Sequence, residues 1–184
     1  MITLPPRYNS LLKLRGLPNT IKLALAEHGV AEVVGKGSNR TIIGWRDELN
    51  QAGVKVSGFS DDDIPWCGLF AAIITLRRLK HPAEVVANPL WARNWSKYGY
   101  KSPQPSLGDV LVFARGSGGH VGFYIAEDAT AYHVIGGNQS NKVCINRIDK
   151  DRLLAARRPP YSVTPGACRP FHVAASGAIS SNEA

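Results

Sequence analysis

Cysteine is scarce in this chain, acidic residues are outnumbered, and no apolar stretch runs far without interruption. Three cysteines, Cys67, Cys144 and Cys168, are too few and too unevenly spaced for a disulfide framework or a zinc site, and each reads as a free thiol. No apolar run is long enough to span a bilayer, so no stable membrane insertion is expected. Pro5 and Pro6 interrupt the stretch that a secretory leader would have to occupy. No low-complexity linker divides the middle of the chain, which excludes a two-domain reading of 184 residues.

What is present fits one globular domain, with 44% apolar residues. The expected organisation is an N-terminal extension over residues 1–18, a folded domain over 19–162 and a flexible tail over 163–184. From about residue 174 that tail is rich in Ala, Ser and Gly and offers little apolar surface to bury. The balance of 22 Lys+Arg against 14 Asp+Glu leaves a formal charge of +8, which suits nucleic acid, an anionic envelope polymer or a solvated surface with no specific partner. The basic residues are scattered apart from Arg77-Arg78-Leu79-Lys80 and Arg157-Arg158, and no zinc-finger, basic-zipper or arginine-rich pattern points to nucleic acid.

Helical spacing comes first along the chain. Ile21, Leu23, Ala24, Leu25 and Ala26 give a helix over residues 20–28, which Asn19 or Thr20 can cap and Gly29 ends. A second helix is expected over 41–49, followed by an exposed loop over 50–63 that carries Asp61, Asp62 and Asp63. Pro65 opens a strongly apolar segment, 66–76, read as a helix buried on most sides with Cys67 in its first turn. Beyond Pro103, Pro105 and Gly108 the pattern changes to short β-type runs at 109–113, 120–126, 132–135 and 142–148. Helices followed by an antiparallel sheet define an α+β architecture.

Three residues in that order carry possible chemistry. A cysteine in an apolar helix is usually inert core, but a helix N-terminus stabilises a thiolate through unpaired N–H groups and the helix dipole. His120 opens an apolar run after Gly116-Ser117-Gly118-Gly119, and imidazole can take the thiol proton and return it to a leaving amine. Asn138 follows Gly136-Gly137, where an amide oxygen can accept from His120 and fix its tautomer. Each has a bland alternative: a core thiol, a structural histidine, an asparagine in a turn. Cys67, His120 and Asn138 together form a nucleophile, a base and an orienting group. His133 is a conceivable third member in place of Asn138. Asp63 reads as a helix cap, Asp109 as a turn residue, and Trp66 as either a substrate-groove residue or a packing residue. Trp91 and Trp95, at i and i+4, form either a sugar-binding ledge or core.

The segments Asp63-Ile64-Pro65-Trp66-Cys67, Gly108-Asp109-Val110-Leu111-Val112-Phe113, Gly119-His120-Val121-Gly122-Phe123-Tyr124 and Gly136-Gly137-Asn138-Gln139-Ser140-Asn141 resemble the cysteine, histidine-dependent amidohydrolase/peptidase (CHAP) family. With Gly29-Val30-Ala31-Glu32 they cover roughly residues 20–160. The resemblance implies a papain-like fold, no metal and no cofactor, and hydrolysis of an amide bond in bacterial peptidoglycan by Cys67, His120 and Asn138. Trp66 is expected to line the substrate site. A monomeric phage-type endolysin is the leading expectation, made in the bacterial cytoplasm without a signal peptide and acting in the periplasm or wall. An injected antibacterial toxin of the same chemistry, and a catalytically silent wall- or protein-binding module, are the alternatives. Gly68 departs from relatives that carry a small polar residue after the cysteine, and leaves the second oxyanion donor unassigned.

Overall fold

A computed structural model describes residues 4–175, 177–181 and 183. The expectations for residues 1–3, 176, 182 and 184, as parts of the extension and tail, lie outside the described residues.

Helix α1 (Asn19–Ala26) turns Ile21, Ala24 and Leu25 inward. Helix α2 (Arg40–Gln51) starts where the Asn39 side chain accepts from the Thr41 N–H at 2.8 Å, satisfying one donor that the helix start leaves free. Its buried residues Ile42, Trp45 and Leu49 lie on one stripe. Helix α3 (Cys67–Leu79) is buried without a break from Cys67 to Leu76, as its unbroken apolar sequence requires. It ends at Lys80, whose left-handed conformation turns the chain away while its N–H caps the Leu76 carbonyl.

The six strands are β1 (Tyr100–Lys101), β2 (Val110–Arg115), β3 (Gly118–Glu127), β4 (Ala131–Gly136), β5 (Cys144–Asp149) and β6 (Leu153–Arg158). They form one antiparallel sheet in the order β1-β6-β2-β3-β4-β5. Helices α1 and α3 pack over β3 and β4, and α2 packs on α3. The protein is therefore α+β, with helices preceding an antiparallel sheet. Strands β1 and β6 have no counterpart among the predicted runs. The β6 sequence Leu-Leu-Ala-Ala-Arg-Arg has no β-branched residue, and it becomes a strand because β2 and β1 flank it.

Two segments differ from their expected exposure. Within 50–63, Val54, Val56, Phe59 and Asp62 are buried, and Asp62 Oδ2 accepts from the backbone N–H groups of Val33 and Asn39 at 3.1 and 2.7 Å. The tail is held by backbone pairing and by arginines: Ser180 N–H donates to the Arg147 carbonyl, and Arg152 donates to the Ser180 carbonyl. Hydrophobicity gives no sign of such polar anchoring, which explains why the tail reads as loose.

The N-terminal extension is likewise part of the core. Leu4, Tyr8, Leu11 and Leu17 are buried in it, and the Tyr8 hydroxyl meets His133 Nδ1 at 2.6 Å. On the other side of that ring, His133 Nε2 faces Asp128 Oδ2 at 2.7 Å, and Arg147 Nε donates to the same oxygen at 2.8 Å. His133 is thus committed to a Tyr8-His133-Asp128-Arg147 chain. It is not a partner of Cys67.

Candidate active site

Helix α3 delivers Cys67 to the sheet at its first turn, with Trp66 as the cap residue. A close approach of two loops fixes this end of the helix. A Cβ on Gly68 would lie 2.2 Å from the Pro89 carbonyl oxygen, and one on Gly137 would lie 2.6 Å from the Trp66 ring. The missing side chain at Gly68, a departure at the sequence level, is what lets residues 89–90 close over the helix start. Asp63 is exposed and makes no cap bond to the helix, contrary to its expected role.

Cys67 is only 2% exposed, and burial pushes its thiol above the ordinary cysteine value. This corrects the expectation of a thiol lowered by the helix N-terminus. The opposing groups are the Val121 N–H, the charge of Arg115, and the N–H groups of Gly68 and Cys67, all of which favour the anion without overcoming desolvation. The sulfur therefore faces three backbone donors. Val121 is the residue next to His120, so the start of α3 lies against the β3 backbone beside the imidazole, and no hydrogen bond joins thiol and imidazole among the described residues.

His120 is fully buried on β3 opposite Phe113. Its Nε2 lies 2.9 Å from Gln139 Oε1. The Gln139 amide is itself oriented, because its NH2 donates to the Val134 carbonyl at 3.1 Å and to the Cys144 carbonyl. The amide oxygen must then accept, so Nε2 carries the proton and Nδ1 is the bare base. Nδ1 is buried with no partner among the described residues. Burial, chiefly, pulls the imidazole down to about 4; Glu183 and Gln139 act upward, Arg115 and Arg152 downward. The resting pair is a neutral thiol and a neutral imidazole.

Gln139 occupies the position expected for Asn138. The Asn138 backbone is left-handed (φ 52°), which aims its side chain elsewhere: Nδ2 donates to Glu32 Oε1 at 2.9 Å, and Oδ1 is buried without a partner among the described residues. Glu32 Oε1 also accepts from Trp66 Nε1 at 2.6 Å. Trp66 is fully buried beside Trp45, and it presents no face on which a substrate could lie. Glu32 reaches this point because the early segment pairs with the loop after β4: Gly29 N–H donates to Val143 O, Val143 N–H to Val30 O, and Glu32 N–H to Asn141 O. Trp91 and Trp95 share no ledge. Trp95 is buried and donates to the Pro89 carbonyl, whereas Trp91 is exposed.

Four charged residues of this neighbourhood escape sequence reasoning: Glu32, Arg115, Arg152 and Glu183. Glu32 stood in a recognised segment without a role, and the other three carry no motif. The carboxylates of Asp61, Asp62 and Asp63 converge within 4.8 Å and are the cluster chemically able to hold a cation, although one Asp62 oxygen already serves two backbone donors. Cys144 donates its thiol proton to the Gln139 carbonyl at 3.1 Å, and burial pushes its pKa up. No helix is long and apolar enough to cross a membrane among the described residues.

The fold and site define an α+β protein with a helix-borne buried thiol against the strand that carries an amide-oriented histidine. A scan against protein-family models finds no match for the chain, and a search of curated proteins finds none.

Proposed function

We propose that the protein is a thiol-dependent amide hydrolase of the papain-like, CHAP-type class, directed at bacterial peptidoglycan. The observation that carries this reading is the His120 tautomer: Gln139 holds Nε2–H and leaves Nδ1 bare on the strand residue preceding Val121, whose N–H favours the Cys67 anion. Peptidoglycan as the substrate is supported by the resemblance of the quoted segments and by the net positive charge.

In the cycle this arrangement supports, Nδ1 takes the Cys67 proton as the sulfur attacks the amide carbonyl carbon. The C–N bond then breaks, and the imidazolium gives its proton to the departing amine. Water attacks the thioester with His120 as base, releasing the acid and regenerating the thiol. The N–H groups of Cys67 and Val121, which favour the Cys67 anion, would favour a developing oxyanion as well. Gln139 keeps the imidazole plane and tautomer through both proton transfers.

The test is clearance of purified peptidoglycan by the wild-type protein and by Cys67→Ala. Loss of clearance in the variant supports the thiol mechanism, and undiminished clearance overturns it. Burial of both Cys67 and His120 favours a second reading, a catalytically silent module of the same fold; wall binding by the wild-type protein without any hydrolysis would establish it.

A further inference from the structure

The C-terminal segment enters the neighbourhood of His120 as an extended peptide would. Ser180 forms a parallel bridge with Ile148 of β5 and donates to the Arg147 carbonyl. Three residues on, the Ser140 N–H donates to the Glu183 carbonyl at 2.7 Å. Ser140 adjoins Gln139, and like Asn138 and Asn141 it is left-handed (φ 52°), a conformation that is costly for serine and turns its N–H toward the tail.

The Glu183 side chain, fully buried, ends on a guanidinium. Arg152 Nη1 and Nη2 each donate to one carboxylate oxygen at 2.8 Å, a bidentate fork. Arg152 is itself fixed by Nε, which donates to the Ala114 carbonyl at 2.9 Å. Ala114 pairs with Gly119, next to His120, so the fork stands at the edge of the histidine's hairpin. A second cation acts on the same histidine: the charge of Arg115 bears on His120, and Arg115 Nη1 is buried with no partner among the described residues. The forked Arg152 and the Ser140 N–H thus give one residue of the tail both a carboxylate site and a carbonyl site.

From this geometry we infer that Arg152, for the carboxylate, and the Ser140 N–H, for the backbone carbonyl, are a recognition site for an acidic residue of an extended peptide beside His120, and that Glu183 occupies it in place of a ligand. The assignment of that peptide as substrate rests on the proposed hydrolase reading; the anion site itself rests on the bonds above. Ligand and tail compete for one fork, so the tail sets the affinity the site shows.

Two matched peptides test this, acetyl-Ala-Glu-amide and acetyl-Ala-Gln-amide, titrated into the full chain while the Arg152 Nε–H and Ser140 N–H resonances are followed by NMR. In Glu183→Gln the glutamate peptide should bind at least about tenfold more tightly than the glutamine peptide, as loss of a charge-assisted fork implies. The wild-type chain should bind it about tenfold more weakly than Glu183→Gln does, and Arg152→Ala in the Glu183→Gln background should abolish the preference. If Arg152→Ala does not fold, the matched pair on Glu183→Gln alone decides. Equal binding of the two peptides, or equal affinity in wild-type and Glu183→Gln, overturns the inference. Peptidoglycan clearance measured in parallel separates it from the hydrolase reading: carboxylate-selective binding without clearance leaves the anion site standing and removes the enzyme, and clearance without selective binding does the reverse.

Discussion

Gln139 and His120 are joined by a 2.9 Å hydrogen bond whose direction is set from outside the pair, since the glutamine NH2 is held by the carbonyls of Val134 and Cys144. An amide fixed in this way can only accept from the imidazole. The tautomer follows from strand β4 and the start of β5, and does not depend on the helix that carries the thiol.

On the proposed hydrolase reading, replacing Gln139 by Ala should therefore reduce kcat with little change in KM. A hydrogen bond to a group that becomes charged contributes about 1.5–3 kcal/mol, equivalent to about 10- to 150-fold in rate. Gln139→Glu should restore part of the loss, because a carboxylate still accepts from Nε2. Asn138→Ala should act mainly on stability, through the vacated Glu32 contact. Peptidoglycan turnover and thermal melts of the three variants give both readouts, and an Asn138→Ala loss in kcat larger than that of Gln139→Ala would reverse the assignment.

Much of this was legible in the sequence, and the gaps have physical causes. Helix α3 and the four adjacent strands β2 to β5 follow from apolar runs and glycine turns, which act locally. The exchange of Asn138 for Gln139 was hidden, because the two amides are adjacent and both are buried, and the partners that separate them, Glu32 for Asn138 and the Val134 and Cys144 carbonyls for Gln139, leave no local signal. Strand β6 was hidden because its pairing on both sides outweighs a composition without β-branched residues. Arg152 and Glu183 were invisible for another reason: an ion pair spanning distant parts of the chain leaves no periodicity in either segment.

Gly68→Ala should destabilise the fold. Its Cβ would meet the Pro89 carbonyl at 2.2 Å, and backbone cannot yield as a flexible side chain can. Overpacking of this kind costs about 1–3 kcal/mol, and here it also displaces the first turn that presents Cys67. Denaturant unfolding should show a lower midpoint at unchanged m. A midpoint equal to wild type would mean that residues 89–90 do not close over the helix.

Acidification should destabilise the protein from about pH 6.5 downward. With His120 pulled down to about 4 in the folded state, the unfolded chain binds the additional proton between those values, so stability rises with pH there. The contribution is fully present above about pH 6.5 and lost by about pH 4, at most about 3 kcal/mol. Asp128, depressed by Arg147 and His133 against the effect of burial, adds a loss in the same direction at lower pH. At the alkaline end the sign reverses, since the raised Cys67 thiol keeps its proton after the unfolded thiol has lost it. Urea unfolding across the pH range should show a slope between pH 4 and 6.5 that His120→Gln reduces, the remainder coming from His28 and His133, which burial also lowers; an unchanged slope in the variant would assign it wholly to those other groups.

Tyr8→Phe probes whether the N-terminal segment belongs to the domain. The substitution keeps the ring among its buried neighbours and removes only the hydroxyl that meets His133 Nδ1 at 2.6 Å. A buried ring nitrogen left without a partner costs about 1–3 kcal/mol. His133 cannot recover it by turning, because Asp128 holds the opposite nitrogen and is itself fixed by Arg147. The variant should melt several degrees below wild type in a single cooperative transition, as expected when one core spans both segments. Melting at the wild-type temperature would mean that residues 4–17 are held without the Tyr8 anchor, and a separate early transition would mean that they form a unit of their own.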